Sequence, residues 1–131
     1  MEYELNQVES IMFLSYLCYG ADGLGTREAS NFINTTREFL ENPDDIDTEY
    51  YFGLFEDLID SNEIFSLIVL ALNKINPSLY KKVLVYLMEG VLADGTITDT
   101  ETILMKEIAT KMKVDISFYQ KILEVMIEKY L

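Results

Sequence analysis

The segment Val91–Glu101, VLADGTITDTE, joins two stretches of helical periodicity and decides the fold. It places an Ala-Asp-Gly corner before a threonine and a glutamate that have the spacing of a helix start. Set against the twelve-residue calcium loop of an EF-hand, Asp94, Gly95 and Glu101 fall at positions 5, 6 and 12. The segment therefore has two interpretations, a cation site or a capped turn between helices.

The residues at the first positions of such a loop exclude an autonomous EF-hand. Such a loop encloses Ca²⁺ with six to eight oxygens, beginning at its positions 1 and 3. Those positions are Gly90 and Leu92, which carry no side-chain oxygen and still belong to the preceding helix by pattern. At most four oxygen donors remain, which is too few to enclose the ion. They belong to Asp94, Thr96, Thr98 and Glu101.

The structural interpretation explains the same residues without a ligand. Gly95 supplies the backbone angles that follow the end of a helix. Thr98-Asp99-Thr100-Glu101 has the pattern of a capping box, in which the threonine hydroxyl and the glutamate carboxylate each accept a free backbone N–H. Asp94 can accept hydrogen bonds from the loop amides. A helix cap stabilises a protein by about 1 kcal/mol, so capping alone accounts for the pattern.

A second copy of the corner brings the cation interpretation back. Ala21-Asp22-Gly23 matches Ala93-Asp94-Gly95 at a shift of 72 residues, and Glu28 follows it much as Glu101 follows the later copy. We predict two helix–loop–helix units, about 3–41 and about 77–130, packed about a pseudo-twofold axis.

In that arrangement Asp22 and Asp94 approach each other, joined by Glu28, Asp99 or Glu101. Carboxylates gathered in this way repel one another unless a proton or a cation intervenes. An all-oxygen ligand set selects Ca²⁺ or Mg²⁺, with Mn²⁺ as a third choice. The predicted metal ligands are therefore these five acidic residues. The loop at Asp44, Asp45 and Asp47 lacks a glycine turn and is predicted to be solvated.

Helical periodicity runs along the whole chain, and no stretch alternates with a period of two. We predict one all-α domain over residues 1–131, a single bundle of about seven helices with short connections. The predicted helices cover residues 3–20, 27–41, 49–60, 62–75, 77–92, 99–113 and 116–130. Asn76 is predicted to cap the fifth of these helices, with Pro77 at its first helical position.

The most apolar run, IFSLIVLAL (Ile64–Leu72), has nine residues and is too short for a bilayer span of about 20. We predict that it is a buried central helix. Buried stripes are also predicted in the first, sixth and seventh helices. They comprise Ile11, Leu14, Leu17 and Cys18; Leu104, Ile108 and Met112; and Ile116, Tyr119, Ile122, Leu123, Met126, Ile127 and Tyr130.

The charge is uneven along the chain. The formal net charge is −13, and residues 1–66 hold 15 acidic and 2 basic side chains, whereas residues 67–131 hold 8 of each. Such a field repels phosphate backbones, so we expect no nucleic-acid partner, and it attracts divalent cations or a basic protein. The opening MEYELNQVES is unlike a secretory signal, and the single cysteine, Cys18, cannot form an internal disulfide. We therefore expect a cytoplasmic protein.

The two acidic corners in a small all-α chain resemble the TerB-like tellurite-resistance family. The best match is YLMEGVLADGTITDTETILMKEIATKMKVD (Tyr86–Asp115), whereas the first copy departs from the family at Gly25 and at the position of its glutamate. The resemblance implies a bacterial stress-response domain linked to tellurium-oxyanion resistance. It also implies a metal-sensing or scaffolding module that acts with partner proteins, often near the membrane surface. By carry-over it favours Asp94 and Glu101 as ligands over Asp22 and Glu28.

Catalysis is the least supported class. The chain has no histidine, which excludes Ser-His and Cys-His nucleophiles, and it has no glycine-rich phosphate loop. We therefore expect a non-enzyme. Two functions stay open from the sequence: a module that binds a divalent cation at its corners, and a metal-independent scaffold whose acidic N-terminal half meets a basic partner.

Overall fold

The structure, a computed structural model, describes residues 4–20, 32, 34–37, 39, 47–93 and 95–131. Within these ranges the chain forms helices and turns and no strand, which confirms the predicted all-α bundle. Residues 34–37 are helical. The other helices are α1 (Gln7–Tyr19), α2 (Thr48–Ser61), α3 (Ile64–Asn73), α4 (Tyr80–Leu92), α5 (Asp99–Met112) and α6 (Ile116–Tyr130).

The start of α1 is set by a capping box that the sequence analysis did not identify. The Asn6 side chain accepts a hydrogen bond from the Glu9 N–H at 2.8 Å, and the Glu9 carboxylate accepts one from the Asn6 N–H at 3.0 Å. The helix therefore begins at Gln7, four residues later than predicted. The sequence pattern Asn-x-x-Glu at residues 6–9 indicates this capping box.

The segment after α3 differs in detail from the prediction. The Asn76 side chain accepts a hydrogen bond from the Ser78 N–H at 3.0 Å, so the predicted N-cap is confirmed, with Pro77 directly after it. The first turn, Pro77–Leu79, is 3₁₀, however, and the α-helix begins only at Tyr80.

The central helix is α1, and not the run Ile64–Leu72 as predicted. Every residue of α1 from Glu9 to Tyr19 is buried, because α2, α3, α4 and α5 all pack against this helix. Its buried polar groups are compatible with that position: the Ser15 hydroxyl donates to the Ile11 carbonyl at 3.0 Å, and the Tyr51 hydroxyl donates to the Glu9 carboxylate at 3.1 Å. Cys18 is fully buried, which confirms the prediction of a small core residue.

Helix α3 lies at the edge of the bundle, and this corrects the prediction that it is enclosed. Its inner side buries Leu67, Ile68, Ala71 and Leu72. Its outer side leaves Phe65 42% exposed, Val69 40% exposed and Leu70 59% exposed. The helix is apolar on both sides although the bundle covers only one of them.

Helices α5 and α6 complete the core. The predicted stripe of α5 is confirmed, since Leu104, Ile108 and Met112 are buried. In α6 the stripe is narrower than predicted. Ile116 is 66% exposed and Ile127 is 41% exposed, because among the described helices α6 packs mainly against α4, which covers one side of it. The residues of α6 that are buried as predicted are Tyr119, Ile122 and Met126.

An aromatic cluster joins α2 to the central helix. The rings of Phe13 and Phe55 meet edge to face with centroids 5.3 Å apart, and the Phe32 and Phe52 rings meet at 5.1 Å. Phe55 is fully buried and anchors the inner side of α2. The outer side of α2 is thereby turned to solvent. None of the helices in the described ranges is long and apolar enough to cross a membrane.

Candidate functional site

The second corner has the predicted shape. Helix α4 ends at Leu92, and Gly95 takes a left-handed conformation with φ of 87° while its N–H donates to the Leu92 carbonyl at 2.9 Å. Gly90 and Leu92 both lie inside α4, so the first two ligand positions of an EF-hand are helical, as the sequence predicts. Helix α5 then begins at Asp99.

The capping box at the start of α5 is confirmed. The Thr98 hydroxyl accepts from the Glu101 N–H at 3.2 Å, and the Glu101 carboxylate accepts from the Thr98 N–H at 2.9 Å. Glu101 is only 8% exposed. One carboxylate oxygen of Glu101 thus takes part in capping the start of α5. This is the structural role that the capped-turn interpretation gives to Glu101.

The other predicted ligands fall into two groups. Asp99 is exposed in the first turn of α5, where its negative charge interacts favourably with the positive end of the helix dipole. Asp22, Glu28 and Asp94 lie outside the described residues, as does all of the segment 21–31, so the predicted pseudo-twofold pairing of the two corners lies outside them too. Within the ranges that the structure describes, no group of three or more Asp, Glu, Cys or His side chains is placed to hold a metal ion.

Glu89 is an acidic residue beside the second corner that was not among the predicted ligands. Glu89 accepts hydrogen bonds from the Lys129 ammonium at 2.6 Å and the Tyr130 hydroxyl at 2.9 Å. The Lys129 bond is the main reason that the pKa of Glu89 lies below its usual value. With Ala93, Glu89 and Tyr130 line a cavity of about 210 Å³. Since Lys129 already neutralises it, Glu89 is a structural acid that links α4 to α6.

The outer face of α2 is acidic. Glu49, Glu56, Asp57 and Asp60 are all exposed on it, and residues 47–63 contain six acidic and no basic side chains. The Tyr16 hydroxyl of α1 donates to Glu56, and burial together with this carboxylate raises the pKa of Tyr16. The acidic face is therefore attached to the core through a phenol that stays protonated.

The apolar outer face of α3 begins next to these acids. Helices α2 and α3 are consecutive and pack against each other. The Glu63 carboxylate caps α3 by accepting from the Phe65 N–H at 3.0 Å and the Ser66 N–H at 2.9 Å, and these bonds lower its pKa. A fixed negative charge thus stands at the end of the exposed row Phe65, Val69 and Leu70. We call the acidic face of α2, Glu63 and this row together the acidic–apolar surface.

This surface was not predicted, because the apolar run of α3 was expected to lie at the centre of the bundle. A signal was present: eight of the ten residues of α3 are apolar, more than a helix at the edge of a bundle can bury on its inner side. No protein-family model, curated protein or solved structure matches the chain. These comparisons leave the resemblance to the TerB-like family untested.

Proposed function

We propose that the protein is a non-catalytic interaction module that binds a basic amphipathic helix of a partner protein on its acidic–apolar surface. The observation that carries the proposal is the exposure of Phe65, Val69 and Leu70 on a helix in which eight of the ten residues are apolar. Adjacent exposed apolar residues, rimmed by polar ones, are typical of protein interaction sites. An apolar helix face laid against such a row buries both.

Charge supports the choice of a basic partner. The six acidic side chains of residues 47–63 have no basic neighbour in sequence, and the chain as a whole carries −13. A field of this sign speeds the approach of a cationic helix and opposes the approach of a second copy of the chain or of a nucleic acid. Salt should weaken the complex, because exposed charges are screened within about 10 Å at 0.1 M salt.

The resemblance to the TerB-like family supplies a context for this proposal. It implies a stress-response scaffold that works with partner proteins, some of them near the membrane surface, and a link to tellurite resistance. A module that presents a fixed docking surface fits that description. The chain also lacks histidine, and the proposed activity needs no catalytic group.

Calorimetric titration with a synthetic amphipathic helix of leucine and lysine tests the proposal. Val69→Glu should weaken binding by about tenfold or more, since it puts a charge into the apolar row. Ile103→Glu is the matched control, because Ile103 is an isoleucine of α5, outside the acidic–apolar surface, that is 58% exposed. Equal losses in the two variants would show that the row on α3 is not the site that the probe binds.

Cation binding at the helix corners is the second proposed function. It is favoured by the exposed Asp99 carboxylate, which shares the first turn of α5 with Glu101 but takes no part in the capping box. Asp94, Asp22 and Glu28 complete the proposed ligand set for Ca²⁺ or Mg²⁺. Ca²⁺ should then raise the melting temperature more than NaCl at equal ionic strength, and Asp94→Asn should abolish the difference. Equal shifts in both salts would leave only generic screening.

A further inference from the structure

A groove opens between the first turns of α1, the end of α2 and the inner edge of α3. Its volume is about 480 Å³, within the range of about 300–1,000 Å³ that small-molecule sites occupy. The walls are mostly apolar, and they are formed by Leu5, Phe13, Leu58, Leu67, Leu70 and Ala71. The groove is distinct from the second helix corner, and among the described residues it shares only Leu70 with the acidic–apolar surface.

The structure describes four polar residues along the groove, and three of them are already paired. Lys74 forms an ion pair with Glu4 at 2.6 Å, so the two rim charges cancel. The side-chain amide of Asn62 donates to the Leu58 carbonyl at 3.0 Å. The described residues of the rim therefore offer neither a net charge nor an unused ammonium group to a ligand.

Ser10 is the exception. It is 0% exposed, it lines the groove, and its hydroxyl has no hydrogen-bond partner among the described residues. Ser15, which is also buried in α1, differs from Ser10 because its hydroxyl donates to the carbonyl of Ile11, four residues earlier. A buried hydroxyl without a partner destabilises a fold. Placed on the wall of an apolar groove, it can act as a recognition point for a ligand that brings the missing hydrogen bond.

We propose that the groove binds an uncharged small molecule with a compact apolar body and one hydroxyl group, which hydrogen-bonds to Ser10. The apolar walls contact the apolar body of the ligand, and the Ser10 hydroxyl forms a hydrogen bond with its single hydroxyl group. The cancelled rim charges and the overall charge of −13 disfavour an anion. This site goes beyond the proposed helix-docking function and does not depend on it.

Amide NMR titrations of the full chain with 4-ethylphenol, ethylbenzene and 4-ethylbenzoate test the site. The phenol should produce saturable shifts at Ser10, Leu67 and Ala71, and it should bind about fivefold more tightly than ethylbenzene, the worth of one neutral hydrogen bond. Ser10→Ala should remove that preference while leaving ethylbenzene unchanged. The anionic 4-ethylbenzoate should not bind.

Two exposed positions keep the test decisive if Ser10→Ala fails to fold. Leu70→Ala removes a wall of the groove at a residue that is 59% exposed, and it should weaken the phenol and ethylbenzene alike. Ile103→Ala, on another helix, should leave both unchanged. The proposal is overturned by the absence of saturable shifts, by equal affinity for phenol and ethylbenzene in the natural chain, by binding of the benzoate as tight as that of the phenol, or by a preference that survives Ser10→Ala.

Discussion

The ring of Tyr19 lies so close to Gly90 that a Cβ at position 90 would stand 2.2 Å from the Tyr19 Cζ. The Tyr19 hydroxyl donates to the Tyr86 carbonyl at 2.8 Å and pairs with the Thr35 hydroxyl at 2.7 Å. These contacts join the central helix α1 to α4 one turn before the second corner. They explain why α4 has a glycine near its end, and the explanation requires no ligand at that position.

Gly90→Ala should therefore lower the free energy of unfolding by about 2 kcal/mol, because the buried Tyr19 ring has to move away from its two partners. Gly53→Ala is the matched control: it also lies within a helix, but nothing is within 4 Å of its Cβ position. That change should raise stability by about 0.5–1 kcal/mol. Urea denaturation measures both. Similar effects at the two positions would contradict the contact.

Lys113 ends α5 in a left-handed conformation with φ of 59°, and its N–H donates to the Thr110 carbonyl at 3.0 Å. Lys113→Gly should raise the free energy of unfolding by about 1 kcal/mol, since glycine adopts this conformation without strain. Lys106→Gly removes the same charge from the middle of α5 and should cost about 1 kcal/mol. Stabilisation by neither change, or by both, would argue against a left-handed cap.

The two interpretations of Glu101 make different predictions in the presence of a chelator. If the carboxylate mainly caps α5, Glu101→Gln keeps the capping hydrogen bond and changes stability little, whereas Glu101→Ala loses about 1 kcal/mol. We expect that ordering in thermal unfolding without added divalent ions. A glutamine that costs as much as the alanine would mean that the charge itself is needed.

The Glu89–Lys129 pair predicts a dependence of stability on pH. Because the folded state lowers the pKa of Glu89 below its usual 4.5, the contribution of this residue is fully present above that pH. It is lost as the pH falls through the depressed folded value. Glu89→Gln should therefore flatten the acid side of the stability profile, and in a Lys129→Met background it should have a smaller effect. An unchanged acid slope in Glu89→Gln would contradict the pairing.

The sequence predicted those features of the fold that depend on neighbours in the chain. Thr98 and Glu101 are three residues apart, so their capping box is local and was identified correctly. The left-handed Gly95 and the N-cap Asn76 were predicted for the same reason. The Asn6–Glu9 box was equally local, and it was missed although its pattern was present.

Burial could not be predicted in the same way, because it depends on how many helices surround a given one. The run of α3 is more apolar than α1, yet α1 occupies the centre and buries Ser10 and Ser15. Serine fits there because it is small and, as at Ser15, can bond to its own helix. The same reasoning applies to Glu89 and Lys129, which are 40 residues apart and meet only through the packing of α4 on α6.

The most direct test of the proposed docking function is a methyl NMR spectrum of the chain with the leucine–lysine helix. The acidic–apolar surface predicts intermolecular NOEs from the helix to the methyl groups of Val69 and Leu70. Ile103 and Val125, which are 58% and 61% exposed on other helices, serve as controls in the same sample and should show none. NOEs to the control methyls in place of Val69 and Leu70, or to no methyl at all, would contradict the account.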